Sequence, residues 1–239
     1  MIERRAAHER GHVQLDWLNS HHSFSFGHYH DPAHMGWSAL RVINDDTVQP
    51  GKGFGTHGHR DMEILSYVLE GALEHRDSMG SGSVLKPGNV QLMSAGTGVQ
   101  HSEFNPSASD PVHFLQIWIL PNQSGHTPGY EERNFAGERN NTLRLLVSGD
   151  ADADALHINS DIQLFGSELD AGQSLTHDFS TGRHGWVQVI KGSLSVSNDS
   201  LSHTLESGDG LGFEVNYYDD ISIDTEKELD FLLFSMPSL

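Results

Sequence analysis

The sequence predicts an all-β protein of two jelly-roll β-barrels packed together. Short apolar segments alternate with turn chemistry, and little of the chain shows a helical period. Twenty-five glycines suit many tight turns. An internal repeat then doubles the unit.

Taken in order, Ala39–Ile43, Ile64–Leu69, Val112–Leu120, Leu143–Val147, Trp186–Ile190 and Leu229–Phe234 read as strands, several of them rich in β-branched or aromatic residues. Turns are predicted at Asn44-Asp45-Asp46, Pro50-Gly51-Lys52-Gly53, Lys86-Pro87-Gly88-Asn89 and Ser207-Gly208-Asp209-Gly210. The repeat pairs Tyr67-Val68-Leu69-Glu70-Gly71-Ala72-Leu73 with Gln188-Val189-Ile190-Lys191-Gly192-Ser193-Leu194, each followed by one of the last two turns. Two copies imply two barrels, divided in the polar stretch from Asn122 to Asn141. The expected domains are 1–130, with the functional site, and 131–239.

Composition narrows the function. With 14 basic and 33 acidic residues the net charge is −19, which argues against nucleic acid as a partner. No cysteine is present, so disulfides, thiol catalysis and iron–sulfur clusters are excluded. No apolar run approaches the ~20 residues of a membrane span, and the first ten residues lack the apolar core of a signal peptide. A cytoplasmic protein with no membrane partner is expected. Two barrels in one chain already supply the contact that single barrels gain by pairing, so a monomer is expected too.

Seventeen histidines, more than all lysines and arginines, point toward a metal. In Thr56-His57-Gly58-His59-Arg60-Asp61-Met62-Glu63 an extended strand turns His57 and His59 to one face, and Glu63 keeps that parity if the strand is unbroken. Further on, after a glycine-rich turn, His101-Ser102-Glu103 repeats the two-residue spacing. Two such pairs on facing strands converge on one ion. Three imidazoles and a carboxylate suit one divalent first-row metal: Fe, Mn, Co, Ni, Cu or Zn. His28-Tyr29-His30 repeats the spacing but runs into the Asp31-Pro32 turn with no partner pair, so His28 and His30 read as structural or rim residues.

The spacing Gly-x5-His-x-His-x3-Glu resembles the cupin superfamily. The fuller strings Thr56 to Glu63, Tyr67 to Gly71, Glu74-His75-Arg76-Asp77-Ser78 and Ser94 to Glu103 resemble the pirin family within it. That resemblance implies a bicupin with one metal in the N-terminal barrel, Fe(II) first among the candidates, bound through His57, His59, His101 and Glu103. In the general cupin scheme Glu63 would be the carboxylate ligand. Here Glu63 is expected behind the ligands, orienting an imidazole. Aligning Gly71 with Gly192 sets Asp178 opposite His57, Ser180 opposite His59 and His184 opposite Glu63, while the positions of His101 and Glu103 fall near Ile221 and Ile223. The C-terminal barrel is therefore expected to lack the ligand set, with His177 and His184 structural.

Bacterial pirin-like proteins resemble quercetin 2,3-dioxygenases, which implies an oxidoreductase that opens the central ring of a flavonol with O2 and releases CO. Glu103 would be its catalytic base. A flat aromatic substrate suits an apolar mouth, for which Phe24, Phe26, Tyr29, Met35 and Trp37 are candidates. A second reading, carried by eukaryotic pirins, is a metal-containing transcription cofactor or redox sensor without turnover. A cupin-type sugar isomerase is a third, disfavoured because only Lys52, Arg60 and Arg76 lie near the ligands in sequence.

Overall fold

The structure is a computed structural model and describes residues 1–151, 153–215 and 219–238. In chain order the strands are β1 (Ile2–Arg5), β2 (Gly11–Gln14), β3 (Leu18–His22), β4 (Leu40–Val48), β5 (Gly53–His59), β6 (Glu63–Glu70), β7 (Leu73–Asp77), β8 (Gly82–Leu85), β9 (Asn89–Ser94), β10 (Val99–Phe104), β11 (Val112–Ile119) and β12 (Gly129–Asn134). They continue with β13 (Arg144–Ser148), β14 (Leu156–His157), β15 (Gln163–Leu169), β16 (Ser174–Phe179), β17 (Arg183–Lys191), β18 (Ser193–Ser197), β19 (Ser202–Glu206), β20 (Gly210–Glu214), β21 (Asp219–Asp224) and β22 (Leu229–Pro237). Among the described residues the only helix is a 3-10 turn at Ala7–Glu9, and none is long and apolar enough to cross a membrane.

The chain forms two compact units. One comprises Gly11–Ala136 and Leu156–Ser160; the other comprises Met1–Arg10, Gly137–Ala155 and Asp161–Leu239. This differs from the expected 1–130 and 131–239 in three places: the boundary falls after Ala136, and Met1–Arg10 and Leu156–Ser160 each join the other unit, both for a packing reason. Strand β1 pairs with β20, Ile2 against Phe213 and Arg5 against Gly210, while Asp209 accepts hydrogen bonds from Arg4 and the Ala7 amide. The 156–160 segment buries Leu156 and Ile158 and bonds through Asn159 to Glu63 and Ser94, and through the Ser160 hydroxyl to the Leu120 carbonyl.

Within the first unit a seven-stranded sheet runs β12-β9-β6-β11-β4-β3-β2 and a four-stranded sheet runs β5-β10-β7-β8. The second unit repeats the plan, with β1-β20-β17-β22-β15-β13 in its larger sheet and β16-β21-β18-β19 in its smaller one. The Gly71/Gly192 repeat is thus a repeat of topology. Both glycines have positive φ (77° and 87°), and a Cβ on either would strike the backbone carbonyl of Pro111 or Glu228.

Asn44-Asp45-Asp46 is no turn. All three lie within β4, where Asn44 and Asp46 are 2 % and 3 % exposed and Asp45 accepts a 2.6 Å hydrogen bond from His113 of neighbouring β11. Tertiary pairing overrides the turn preference of Asn and Asp here. The second unit's core is apolar, gathered around Val187, Leu211, Phe231 and Leu233. In the first unit the large sheet instead carries a polar row across its strands, with Gln91, Ser66, Gln116, Asn44 and His22 successive register partners on β9, β6, β11, β4 and β3. Partners in register share one face, and Ser66 and Gln116 show which: both bond Glu103 of the smaller sheet.

Candidate metal centre

Strands β5, β10 and β7 lie side by side in the four-stranded sheet and turn alternate residues inward. His57 pairs with His101 across β5 and β10, Glu103 with His75 across β10 and β7, and His101 also faces Asp77. The register shifts between His101 and Glu103, where Glu103 comes to lie opposite Phe54. His101, Glu103 and His75 are buried; His57 and His59 are partly exposed.

Three imidazoles meet. The Nε2 atom of His101 lies 2.9 Å from Nε2 of His59 and 3.0 Å from Nε2 of His57. Burial, then the neighbouring imidazoles, depress the His59 pKa to about 4 and the His101 pKa to about 3, so both are neutral at pH 7 with lone pairs available. The other ring nitrogen of His57, Nδ1, is 2.8 Å from the Gly55 carbonyl and must carry the proton to bond it, which leaves Nε2 free as a ligand atom. Two nitrogens about 2.1 Å from one ion and at right angles around it stand about 3.0 Å apart. The observed separations meet that requirement, so the residues fit a transition-metal ion.

Glu103 reaches toward the facing sheet. Its Oε1 accepts the Ser66 hydroxyl at 2.8 Å and its Oε2 accepts the Gln116 amide at 2.7 Å, which hold the carboxylate beside the histidines. Its ligand atoms group with those of His75 and His101 within 4.8 Å, as those of His57, His59 and His101 group with one another. Among the described residues these are the two His/Asp/Glu clusters of metal-binding size, and both lie in the first unit.

Glu63 is elsewhere. The turn at Arg60–Met62, with Asp61 at a φ of 49°, carries the chain from the small sheet into the large one and ends the parity shared by His57 and His59. Its carboxylate accepts bonds from Ser94 (2.7 Å) and Asn159 (3.3 Å), so the expectation that Glu63 orients an imidazole is corrected. His28 and His30 are exposed. Of the candidate mouth residues, Phe24 and Trp37 are buried in the core, Met35 is 40 % exposed, and Tyr29 bonds Asp31. Phe26 connects to the histidines through Trp118: Phe26 meets Trp118 edge-on at 5.2 Å, and Trp118 meets His59 edge-on at 4.9 Å.

Sequence reasoning assigned no role to Ser66, Gln116, Trp118, His75 or Asp77. The His-x-Asp spacing of the last two carried a period-two signal, but one that many surface strands share.

In the second unit β16 and β21 stand where β5 and β10 stand in the first. There His177 pairs with Ile221 as His57 pairs with His101, and the residue two further along β16 is Phe179, not a histidine. The structural counterpart of His57 is therefore His177, one residue from the expected Asp178, because one more residue separates it from the repeat glycine. Ile221 and Ile223 are buried in the apolar core. His177 packs between Phe165 and Phe179, and burial lowers its pKa.

Residues 3–119 match the family described as Pirin, and residues 145–236 match the quercetinase C-terminal cupin domain. The chain is 44% identical over 239 residues to the quercetin 2,3-dioxygenase of Escherichia coli K12, covering 99% of each protein. It is 38% identical to a pirin-like protein of Caulobacter vibrioides over 90% of this chain and 91% of the other. The crystal structure of the E. coli bacterial pirin YhhW in complex with nickel(II) superposes with a TM-score of 0.93 at 44% identity, covering 100% of both chains.

Proposed function

The chain belongs to the pirin family, and from that premise we propose that it is a metal-dependent dioxygenase which opens the central ring of a flavonol such as quercetin. The observation that carries the proposal is the convergence of the His57, His59 and His101 Nε2 atoms, with Glu103 buried, hydrogen-bonded and grouped with the shared member His101. We assign His57, His59, His101 and Glu103 as the ligands of one divalent first-row ion.

When bound, that ion supplies the Lewis acidity that favours the anionic form of the flavonol 3-oxygen. Glu103 accepts the 3-hydroxyl proton. Ser66 and Gln116 leave each of its oxygens with lone-pair capacity while fixing the direction in which the carboxylate points. Trp118, backed by Phe26, gives the His59 side of the site an apolar wall for a planar ring and keeps water off that side. Dioxygen is the oxidant: both of its atoms remain in the ring-opened ester, and the excised carbon leaves with the former 3-oxygen as CO.

The E. coli relative holds nickel(II). For this chain we keep Fe(II), Ni(II), Co(II) and Mn(II) as candidates, since three imidazoles and a carboxylate accept each of them. The test is oxygen uptake and CO release with quercetin on protein of measured metal content. Activity that disappears with chelator and returns with one of these metals supports the proposal. Bound metal without uptake, across all four, refutes it and leaves a metal-containing binding protein.

A further inference from the structure

His101 has a second partner. Its Nε2 is turned to His57 and His59, and its Nδ1 lies 3.5 Å from Nδ1 of His75. The other ring nitrogen of His75, Nε2, lies 3.2 Å from Oδ2 of Asp77. Both side chains are wholly buried on the inner face of β7. The remaining Asp77 oxygen, Oδ1, accepts the amide N–H groups of Met79 (2.9 Å) and Ser81 (3.0 Å), which fix the carboxylate. Tyr130 stacks on the His75 ring at 5.0 Å and 30°.

Ligation by His101 Nε2 fixes the protons along this chain. With that lone pair given to a metal, the His101 proton sits on Nδ1 and must be donated. His75 is the acceptor, so its Nδ1 carries a lone pair and its Nε2 carries the proton. That proton points at the Asp77 carboxylate. Only this arrangement leaves no two N–H groups facing each other. His57, by contrast, donates to a neutral backbone carbonyl.

We propose that His75 and Asp77 are positioning residues for the metal centre: they lock His101 in the ligating tautomer, and the Asp77 charge, relayed through His75, makes it a stronger donor than His57. The proposal rests on the metal-site reading above. Partners of this kind typically contribute 10–100-fold in metal affinity.

The test measures Ni(II) and Co(II) affinity by chelator competition, together with the visible absorption of the Co(II)-loaded protein. His75→Phe keeps the ring and its stacking on Tyr130 but has no nitrogen. Asp77→Asn keeps the amide-accepting oxygen and sets an N–H₂ against the His75 N–H. His75→Gln offers a side-chain oxygen that can still accept from His101. We expect His75→Phe and Asp77→Asn to lose roughly 10–100-fold in affinity and to shift the Co(II) bands even when fully loaded, with His75→Gln retaining most of the wild-type affinity. Unchanged affinity and spectra in all three variants overturn the proposal. An equal loss in all three, His75→Gln included, overturns it as well, because that pattern is a packing effect. Wild-type protein that binds neither ion removes the metal site itself, a failure distinct from the other two.

Discussion

Replacing Asp46 by Asn should stabilise the protein, and increasingly so as pH rises. Asp46 lies in β4 with one carboxylate oxygen, Oδ1, lacking a hydrogen-bond partner among the described residues. Burial is the largest influence on it and pushes its pKa from the ordinary 3.8 to about 7; a hydrogen bond from Ser20 opposes this, and the charges of Asp45 and Glu103 add to it. The folded state therefore holds a proton that the unfolded chain has already released. Stability falls as pH rises from about 4 to about 7 and levels off above, and the full span costs about 4 kcal/mol at ~1.4 kcal/mol per pKa unit. Asparagine keeps the shape without the charge. Between pH 5.5 and pH 8 its advantage over the wild type should grow by about 2 kcal/mol, which is a shift of roughly 1 M in the urea midpoint of a domain this size. The assay is urea unfolding of both chelator-treated proteins at the two pH values, followed by tryptophan fluorescence. A stability difference independent of pH, or an Asn variant less stable at pH 8, would refute the reasoning.

Three further outcomes are expected. His57→Ala and His101→Ala should each lose most bound metal in a metal analysis of the purified protein; full retention in either removes that residue from the ligand set. Glu103→Gln should cut quercetin turnover far more than Glu63→Gln, whose cost should appear as about 1–3 kcal/mol of stability through its buried bonds to Ser94 and Asn159; the reverse order in the oxygen-uptake assay would restore Glu63 to the general cupin role. His177→Ala should leave the metal content of the chain unchanged, since its register partner is Ile221; a loss of metal would place a site in the other barrel.

Period-two patterning made much of this molecule readable in advance. The strands around Ile64, Val112, Trp186 and Leu229 are apolar runs bounded by glycine, proline and aspartate, and such runs leave few options. His57 and His59 share a face of one strand for the same reason. The pattern stopped working where the chain changed sheets: nothing local marks Asp61 as the point at which Glu63 leaves the parity of the histidines. It also failed for Asn44 and Asp46, whose turn preference is overruled by strands far away in sequence. Ser66, Gln116, Trp118 and His75 became site residues only through register between β10, β7, β6 and β11, a property of sheet order that no local spacing encodes. The one-residue error at His177 has the same origin, because a connection between strands can lengthen without altering the motifs on either side.

Strand β1 has a consequence for how the protein is made. It is synthesised more than two hundred residues ahead of its partner β20. At ~5–20 residues per second β1 waits on the order of ten to forty seconds for that partner to be synthesised. Residues 156–160 impose a shorter delay on the other unit, whose first part ends at Ala136. Neither barrel can be completed from one continuous stretch of chain, so cutting near residue 130 gives two damaged products rather than two domains. Removing residues 1–5 would strike the barrel built mainly from residues 161–239, uncovering β20 as a bare edge able to recruit a strand from another molecule.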